Sequence, residues 1–219
     1  MITKRGFLTG AASAAAIAAT ASRKSWAAAS GSPRGATQEH GACSAAAVFD
    51  AVVFNERYSD ARAFAQALAD QGVPLLPIGG DAGTLWHGAL GKQVAGGHRC
   101  LVGIGTSMDL LILQSLGRDA GLRVRFLAQH DCRGRRTLMH SISGHHASVV
   151  YRGLEGDLSA ADWPVRLAAA LPRVGMEVRA CGAIGAADFR LDTEVERSRD
   201  HPGMLVSWVL ADKLETKSV

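Results

Sequence analysis

Apolar and polar positions alternate from residue 46 onwards in the manner of a strand-and-helix protein. The run 48–54 is apolar enough for a buried strand. Over 59–69 the apolar side chains recur at three- and four-residue spacing, which predicts an amphipathic helix. A second strand is predicted over 73–78, at a sheet edge, because its two prolines cannot donate ladder hydrogen bonds.

The same alternation continues towards the middle of the chain. A weaker helix is predicted over 83–94, a strand over 100–104, an apolar helix over 108–120 and a strand over 124–127. This β-α-β-α-β-α-β order predicts an α/β fold, a single domain with a mainly parallel sheet and helices on both faces.

The second half of the chain is less regular. Strands are predicted at 147–151, 178–181 and 204–210, with a helix around 163–171, and the final strands could run antiparallel. Charged and apolar side chains alternate over 188–199, which is typical of a half-exposed strand.

The first 29 residues have the pattern of an export signal. Lys4 and Arg5 precede an uncharged stretch of mainly small residues, and either Ser25 and Ala27 or Ala27 and Ala29 suit a cleavage site. The stretch is too short to form a stable membrane span. We therefore expect 1–29 to be the signal, 30–45 a flexible leader and 46–219 the folded domain.

The segment Thr3-Lys4-Arg5-Gly6-Phe7-Leu8 resembles the bacterial twin-arginine export signal, Ser/Thr-Arg-Arg-x-Phe-Leu, with Lys4 in place of the first arginine. The resemblance implies transport by the export machinery, after folding, to a periplasmic or secreted location. The alternative is a simple amphipathic or disordered N-terminal tail. No motif in the remaining chain resembles a known family.

Charge argues against a nucleic-acid partner. The chain has 24 Lys+Arg against 20 Asp+Glu. The signal contains Lys4, Arg5, Arg23 and Lys24 and no acidic residue, so the exported domain would be close to neutral. A nucleic-acid interface needs a basic surface that neutralises phosphates.

Four cysteines, Cys43, Cys100, Cys132 and Cys181, lie beyond the signal. In an oxidising compartment they could form two disulfides, and buried thiols are the alternative. Their wide spacing indicates neither a structural zinc site nor a thioredoxin-like pair.

The most promising ligand site is the glycine-rich turn between the strand over 100–104 and the helix over 108–120. Glycines let a ligand approach the backbone, and a helix N-terminus offers N–H groups to an anion. Side chains after neighbouring parallel strands would lie at the same edge. The candidate ligand-binding residues are Gly103, Gly105, Thr106, Ser107, Glu56 and Asp81. The alternative is a tight turn capped by Thr106 or Ser107.

Histidines concentrate in the segment 129–146. Imidazole, thiolate and carboxylate groups together could bind a transition metal or act as acid, base and nucleophile. Candidate metal ligands are His130, Cys132, His140 and His145; candidate catalytic residues are His130, Asp131, Cys132 and His140. Ordinary polar loop residues are the alternative.

Three functions remain open. The leading hypothesis is binding of a small anionic ligand, as an exported protein or an accessory component of an exported redox or catabolic system. The second is a metal- or thiol-dependent enzyme that uses the histidine segment. The third is a partner subunit without its own site, suggested by the apolar segments 108–120 and 204–210. No specific cofactor is indicated.

Overall fold

The computed structural model describes residues 44–95, 99–133, 137–144, 147–155, 162–179, 187–194 and 200–212. Seven strands form one sheet, in the order β2-β1-β3-β7-β4-β5-β6. The strands are β1 (Ala51–Asn55), β2 (Leu75–Ile78), β3 (Cys100–Gly105), β4 (Arg123–Arg133), β5 (Thr137–Gly144), β6 (Ala187–Glu194) and β7 (Met204–Ala211).

The helices lie between the strands along the chain. A 3₁₀ turn at Ala45–Ala47 precedes β1, and a π-helical turn at Trp86–Leu90 joins α2 to α3. The helices are α1 (Ser59–Ala69), α2 (Ala82–Leu85), α3 (Gly91–Val94), α4 (Ser107–Gly117), α5 (Ala147–Leu154) and α6 (Trp163–Arg179).

The expectation of a mainly parallel sheet is wrong. Only β1 pairs in parallel, with β2 and β3, whereas β3–β7, β7–β4, β4–β5 and β5–β6 are antiparallel. Strand β4 does run in the same direction as β3, as the alternating order suggests. The C-terminal strand β7 lies between them, however, and it pairs antiparallel with both. The fold is therefore a mixed α/β sheet.

Helices cover both faces of the sheet, as predicted. On one face, which we call the α1/α6 face, helices α1, α5 and α6 pack on alternate residues of the strands. On the other, the α4 face, the helical segment 82–94 and α4 pack on the intervening residues. Strand β7 is apolar on both faces because it is covered on both.

Several element predictions are confirmed, including the helix at 59–69 and the strand at 204–210. The predicted strand at 147–151 is wrong: Ala147, Val150 and Leu154 are buried at helical spacing, and the segment is α5. Residues 178–179 end α6, and 180–186 lie outside the described residues. Strand β5 was not expected. The predicted half-exposed strand is present as β6.

The predicted export signal and nearly all of the leader lie outside the described residues. None of the helices that the structure describes is long and apolar enough to cross a bilayer.

Candidate functional site

The glycine-rich turn between β3 and α4 holds one of the chain's own carboxylates. Asp109 Oδ2 accepts hydrogen bonds from the Thr106 backbone N–H and the Thr106 hydroxyl, both at 2.8 Å. It also accepts one from Asn55 Nδ2, at 2.9 Å, while the Asp109 N–H donates back to Thr106 Oγ1. This is a capping box, and Asp109 occupies the donors that an incoming anion would need at Thr106.

The two glycines of this turn make room for side chains of the protein itself. A Cβ on Gly103 would lie 2.5 Å from Trp208, the residue directly opposite on β7. A Cβ on Gly105 would lie 2.8 Å from Asp109 Oδ2. Close internal packing therefore explains both glycines without a ligand.

The other residues of that candidate site lie around the same sheet edge. Asp81 caps α2 by accepting from the backbone N–H and hydroxyl of Thr84, and these hydrogen bonds lower the pKa of Asp81. Glu56 and Ser107 are exposed. Asp81 thus has a local structural role of its own.

The histidine segment has a more distinctive geometry. His130 on β4 and His140 on β5 are direct cross-strand partners, and both are fully buried on the α1/α6 face. Their Nδ1 atoms are 2.7 Å apart. Trp163, the first residue of α6, covers both imidazoles, with ring centroids 4.6 Å from His130 and 5.3 Å from His140.

Ser207 on β7 completes a chain of three polar side chains. Its hydroxyl oxygen lies 3.0 Å from His130 Nε2 and is fully buried. Among the described residues, His140 Nε2 has no hydrogen-bond partner. A buried N–H without a partner is rarer than a bare acceptor. The geometry therefore favours His140 Nδ1–H donating to His130, whose Nε2–H donates to Ser207.

Both imidazoles are neutral at neutral pH. Burial lowers the pKa of His130 well below its usual range, and repulsion from the His140 and His201 rings in their protonated forms lowers it further. Burial also lowers the pKa of His140 to about 4, although Asp192 opposes that shift.

Ser207, His130 and His140 are connected in the spatial order of a nucleophile, a base and an orienting group, but a His130 Nε2–H that donates to Ser207 leaves no lone pair there to take the serine proton. Ser207 nevertheless lies in the middle of a buried strand with no exposed surface, so a substrate cannot reach its hydroxyl in this conformation. The arrangement acts as a buried polar link between three strands and α6.

The other described candidates of the histidine segment, Asp131 and Cys132, do not join this cluster as metal ligands. Cys132 lies two residues after His130 and packs partly buried on the same face, whereas Asp131 points to the opposite face. His145 lies outside the described residues. In the part of the chain that the structure describes, no three His, Cys, Asp or Glu side chains are placed to hold a metal ion.

A second candidate site is a groove between α5 and α6, on the outer surface of these helices. The groove has a volume of about 570 Å³. We call it the arginine groove; its lining residues are Val149, Arg152, Gly153, Arg166, Ala169, Ala170 and Arg173. No acidic side chain is among them.

Small residues bring the two helices together beneath the groove. A Cβ on Gly153 would lie 2.8 Å from the Cβ of Ala170, so α5 and α6 touch there. Arg166 donates from Nε to the Gly153 carbonyl at 3.2 Å and from Nη2 to the Glu155 carbonyl at 2.9 Å. A cation thus caps the C-terminal end of α5.

These contacts also show how the two helices run. Arg166 contacts Gly153 and Glu155, whereas Ala170, one turn later on α6, contacts Gly153, so the helices run antiparallel. Arg152 on α5 and Arg173 on α6 line the same groove. Both side chains are exposed.

No protein family, curated protein or solved structure matches this chain. The function must be inferred from the geometry of the sites themselves.

Sequence reasoning did not identify Ser207, Trp163 or the arginine groove. A single serine within the apolar run 204–211 could have indicated a buried hydrogen-bonding partner. Arg166 and Arg173 are seven residues apart, with three alanines between them, and so share one helix face.

Proposed function

We propose that this protein binds a small anion in the arginine groove, and that it does so as an exported protein. The supporting observation is that Arg152, Arg166 and Arg173, from two helices, line one cavity whose described lining includes no acidic side chain. Guanidinium groups remain charged at all relevant pH values and bind carboxylate, phosphate or sulfate through paired hydrogen bonds.

The three arginines have different roles in this proposal. Arg166 holds the end of α5 against α6 and so shapes the groove. Arg152 and Arg173 are exposed on facing helices and would hold the anionic group between them. Val149, Ala169 and Ala170 provide an apolar wall for the remainder of a ligand.

Export is supported by the twin-arginine-like sequence at 3–8. A fusion of residues 1–45 to a reporter that is active only after export would test this part. We expect activity in a host with the twin-arginine machinery, and activity lost with Arg5→Gln. An inactive fusion would contradict export.

Titration calorimetry with sulfate at constant ionic strength tests the binding. We expect saturable binding that weakens at least tenfold in Arg152→Gln/Arg173→Gln. The control is Arg118→Gln, because Arg118 is an exposed arginine beyond α4 and outside the groove. Absence of binding, or equal weakening in single variants Arg173→Gln and Arg118→Gln, would contradict the proposal.

A further inference from the structure

The buried histidine pair has room for only one proton between its two rings. At 2.7 Å, one Nδ1 must donate and the other accept, because two N–H groups would face each other at the wrong distance. His130 Nε2 is engaged with Ser207. An additional proton must therefore go to His140 Nε2, the buried nitrogen for which the described residues supply no partner.

Proton uptake would place a charge that no described group compensates well. Among the described residues, His201 before β7 and Asp192 on β6 act on the pair, and the Cys132 thiol lies on the same face of β4. His201 in turn lies 4.0 Å from Asp60 on α1. From α5 comes Tyr151, which stacks on Phe189 of β6. Asp192 is exposed and opposes the burial effect only in part, because the pKa of His140 still falls to about 4.

The N-terminal end of helix α6 covers the pair, and this is the end of a helix that least favours a nearby positive charge. Trp163 is the first residue of α6, and the N-terminus of a helix bears partial positive charge and repels a cation. An imidazolium under a tryptophan gains some cation–π attraction. Hydration would stabilise the imidazolium more, and water reaches the ring once Trp163 moves away from the sheet.

The strands beneath are held more firmly than the helix. His130 and His140 belong to strands that are paired along eight residues, and β4 pairs with β7 along eight more. Moving the first turn of α6 exposes the imidazoles without breaking these ladders. The least costly response to protonation is therefore local.

We propose that the His130–His140 pair is a protonation-controlled lock on α6: neutral, it holds Trp163 against the sheet, and charged, it releases the first turns of that helix. This regulatory device goes beyond the proposed anion binding and does not depend on it.

Amide hydrogen exchange at pH 7 and pH 4, expressed as protection factors, tests the lock on the full chain. We expect protection over 163–170 to fall at least tenfold at pH 4, and protection in β1 and β3 to change less than twofold. In His140→Gln, which cannot take up the proton, α6 should stay protected. His87→Gln, which replaces an exposed histidine, should behave as the wild-type protein.

Three results would overturn the proposal: unchanged protection of α6 in the wild-type protein, simultaneous loss in α6 and β3, or an equal acid response in His140→Gln. If His140→Gln does not fold, an NMR titration of the wild-type imidazoles replaces it. The lock requires His140 to protonate at the pH at which α6 loses protection, and protonation at a different pH would contradict it.

Discussion

The side chain of Asn55, the last residue of β1, donates a 2.9 Å hydrogen bond to Asp109 in the first turn of α4. Both side chains are more than nine-tenths buried. Because Asp109 also accepts from the Thr106 N–H and hydroxyl, one carboxylate oxygen joins the ends of two neighbouring parallel strands to a helix. A buried charge of this kind is stabilised by its donors.

Replacing Asp109 with Ala should therefore destabilise the fold by about 2–3 kcal/mol. The change removes the Asp109 half of the capping box and leaves the buried Asn55 amide and the Thr106 N–H without their acceptor. Urea unfolding at pH 7.5 measures the loss. Asp119→Ala, at an exposed site, is the control and should change stability by less than about 0.5 kcal/mol. Equal effects of the two variants would contradict this role.

A second prediction concerns the contact of Gly103 with Trp208. Gly103→Ala would place a methyl group 2.5 Å from the indole of a fully buried tryptophan on a neighbouring strand. Overpacking of this kind costs about 1–3 kcal/mol. Gly80→Ala is the matched control, because nothing lies within 4 Å of the Cβ it would add. The thermal unfolding midpoint should fall below that of the wild-type protein in Gly103→Ala and not in Gly80→Ala. Similar midpoints in the two variants would contradict this prediction, because they would mean that Trp208 moves aside for the added methyl group.

The sequence predicts the local elements better than the sheet. Apolar spacing is a local signal, and it locates α1, α4 and β7. The insertion of β7 between β3 and β4 depends on pairing between residues about 70 to 110 positions apart, which no local pattern encodes. The alternating order correctly predicts that β1 to β4 all run in the same direction. Because β7 lies between β3 and β4 and runs antiparallel to both, the sheet is mixed and not mainly parallel.

The candidate sites show the same division. The composition of 129–146 indicates His130 and His140 as candidates, but only the β4–β5 pairing shows that they are neighbours. Valines in 147–151 favour a strand locally, but burial at three- and four-residue spacing makes α5 a helix. With α5 assigned as a strand, the arginine groove could not be anticipated.

A third prediction concerns Asp60 in α1. Burial, with the like charge of Asp200, raises the pKa of Asp60 from 3.8 to about 6. The folded state therefore binds a proton more readily than the unfolded state. The ionised Asp60 carboxylate lowers the free energy of unfolding above pH 6, and this destabilisation disappears as the pH falls through 6 towards 3.8. Asp60→Asn should raise the urea midpoint at pH 7.5 and lose this advantage at pH 4.

The control for Asp60→Asn is Asp119→Asn, which removes the same charge at an exposed site. A stabilisation of equal size in the control would indicate a general charge effect. A lower midpoint for Asp60→Asn at pH 7.5 would show instead that the carboxylate near His201 Nε2, 4.0 Å away, stabilises the fold.

A fourth prediction concerns His140 and acid stability. Its pKa falls from 6.5 to about 4 on folding. The unfolded state thus binds more protons between these values, and stability is retained above pH 6.5 and lost as the pH falls towards 4. The shift corresponds to about 3 kcal/mol. Urea unfolding from pH 7 to 4 should show this loss reduced in His140→Gln and retained in His87→Gln; equal losses in all three proteins would contradict it.

The last prediction joins the two proposals, because α6 contains both Trp163 and the groove arginines Arg166 and Arg173. Sulfate keeps its charge between pH 7 and 4, and so do arginines. If protonation of the histidine pair releases α6, sulfate affinity should fall severalfold over this range in the wild-type protein and much less in His140→Gln. Constant affinity in the wild-type protein would leave anion binding intact but exclude coupling through α6. Reciprocity adds a check: saturating sulfate should lower the pH at which His140 takes up its proton.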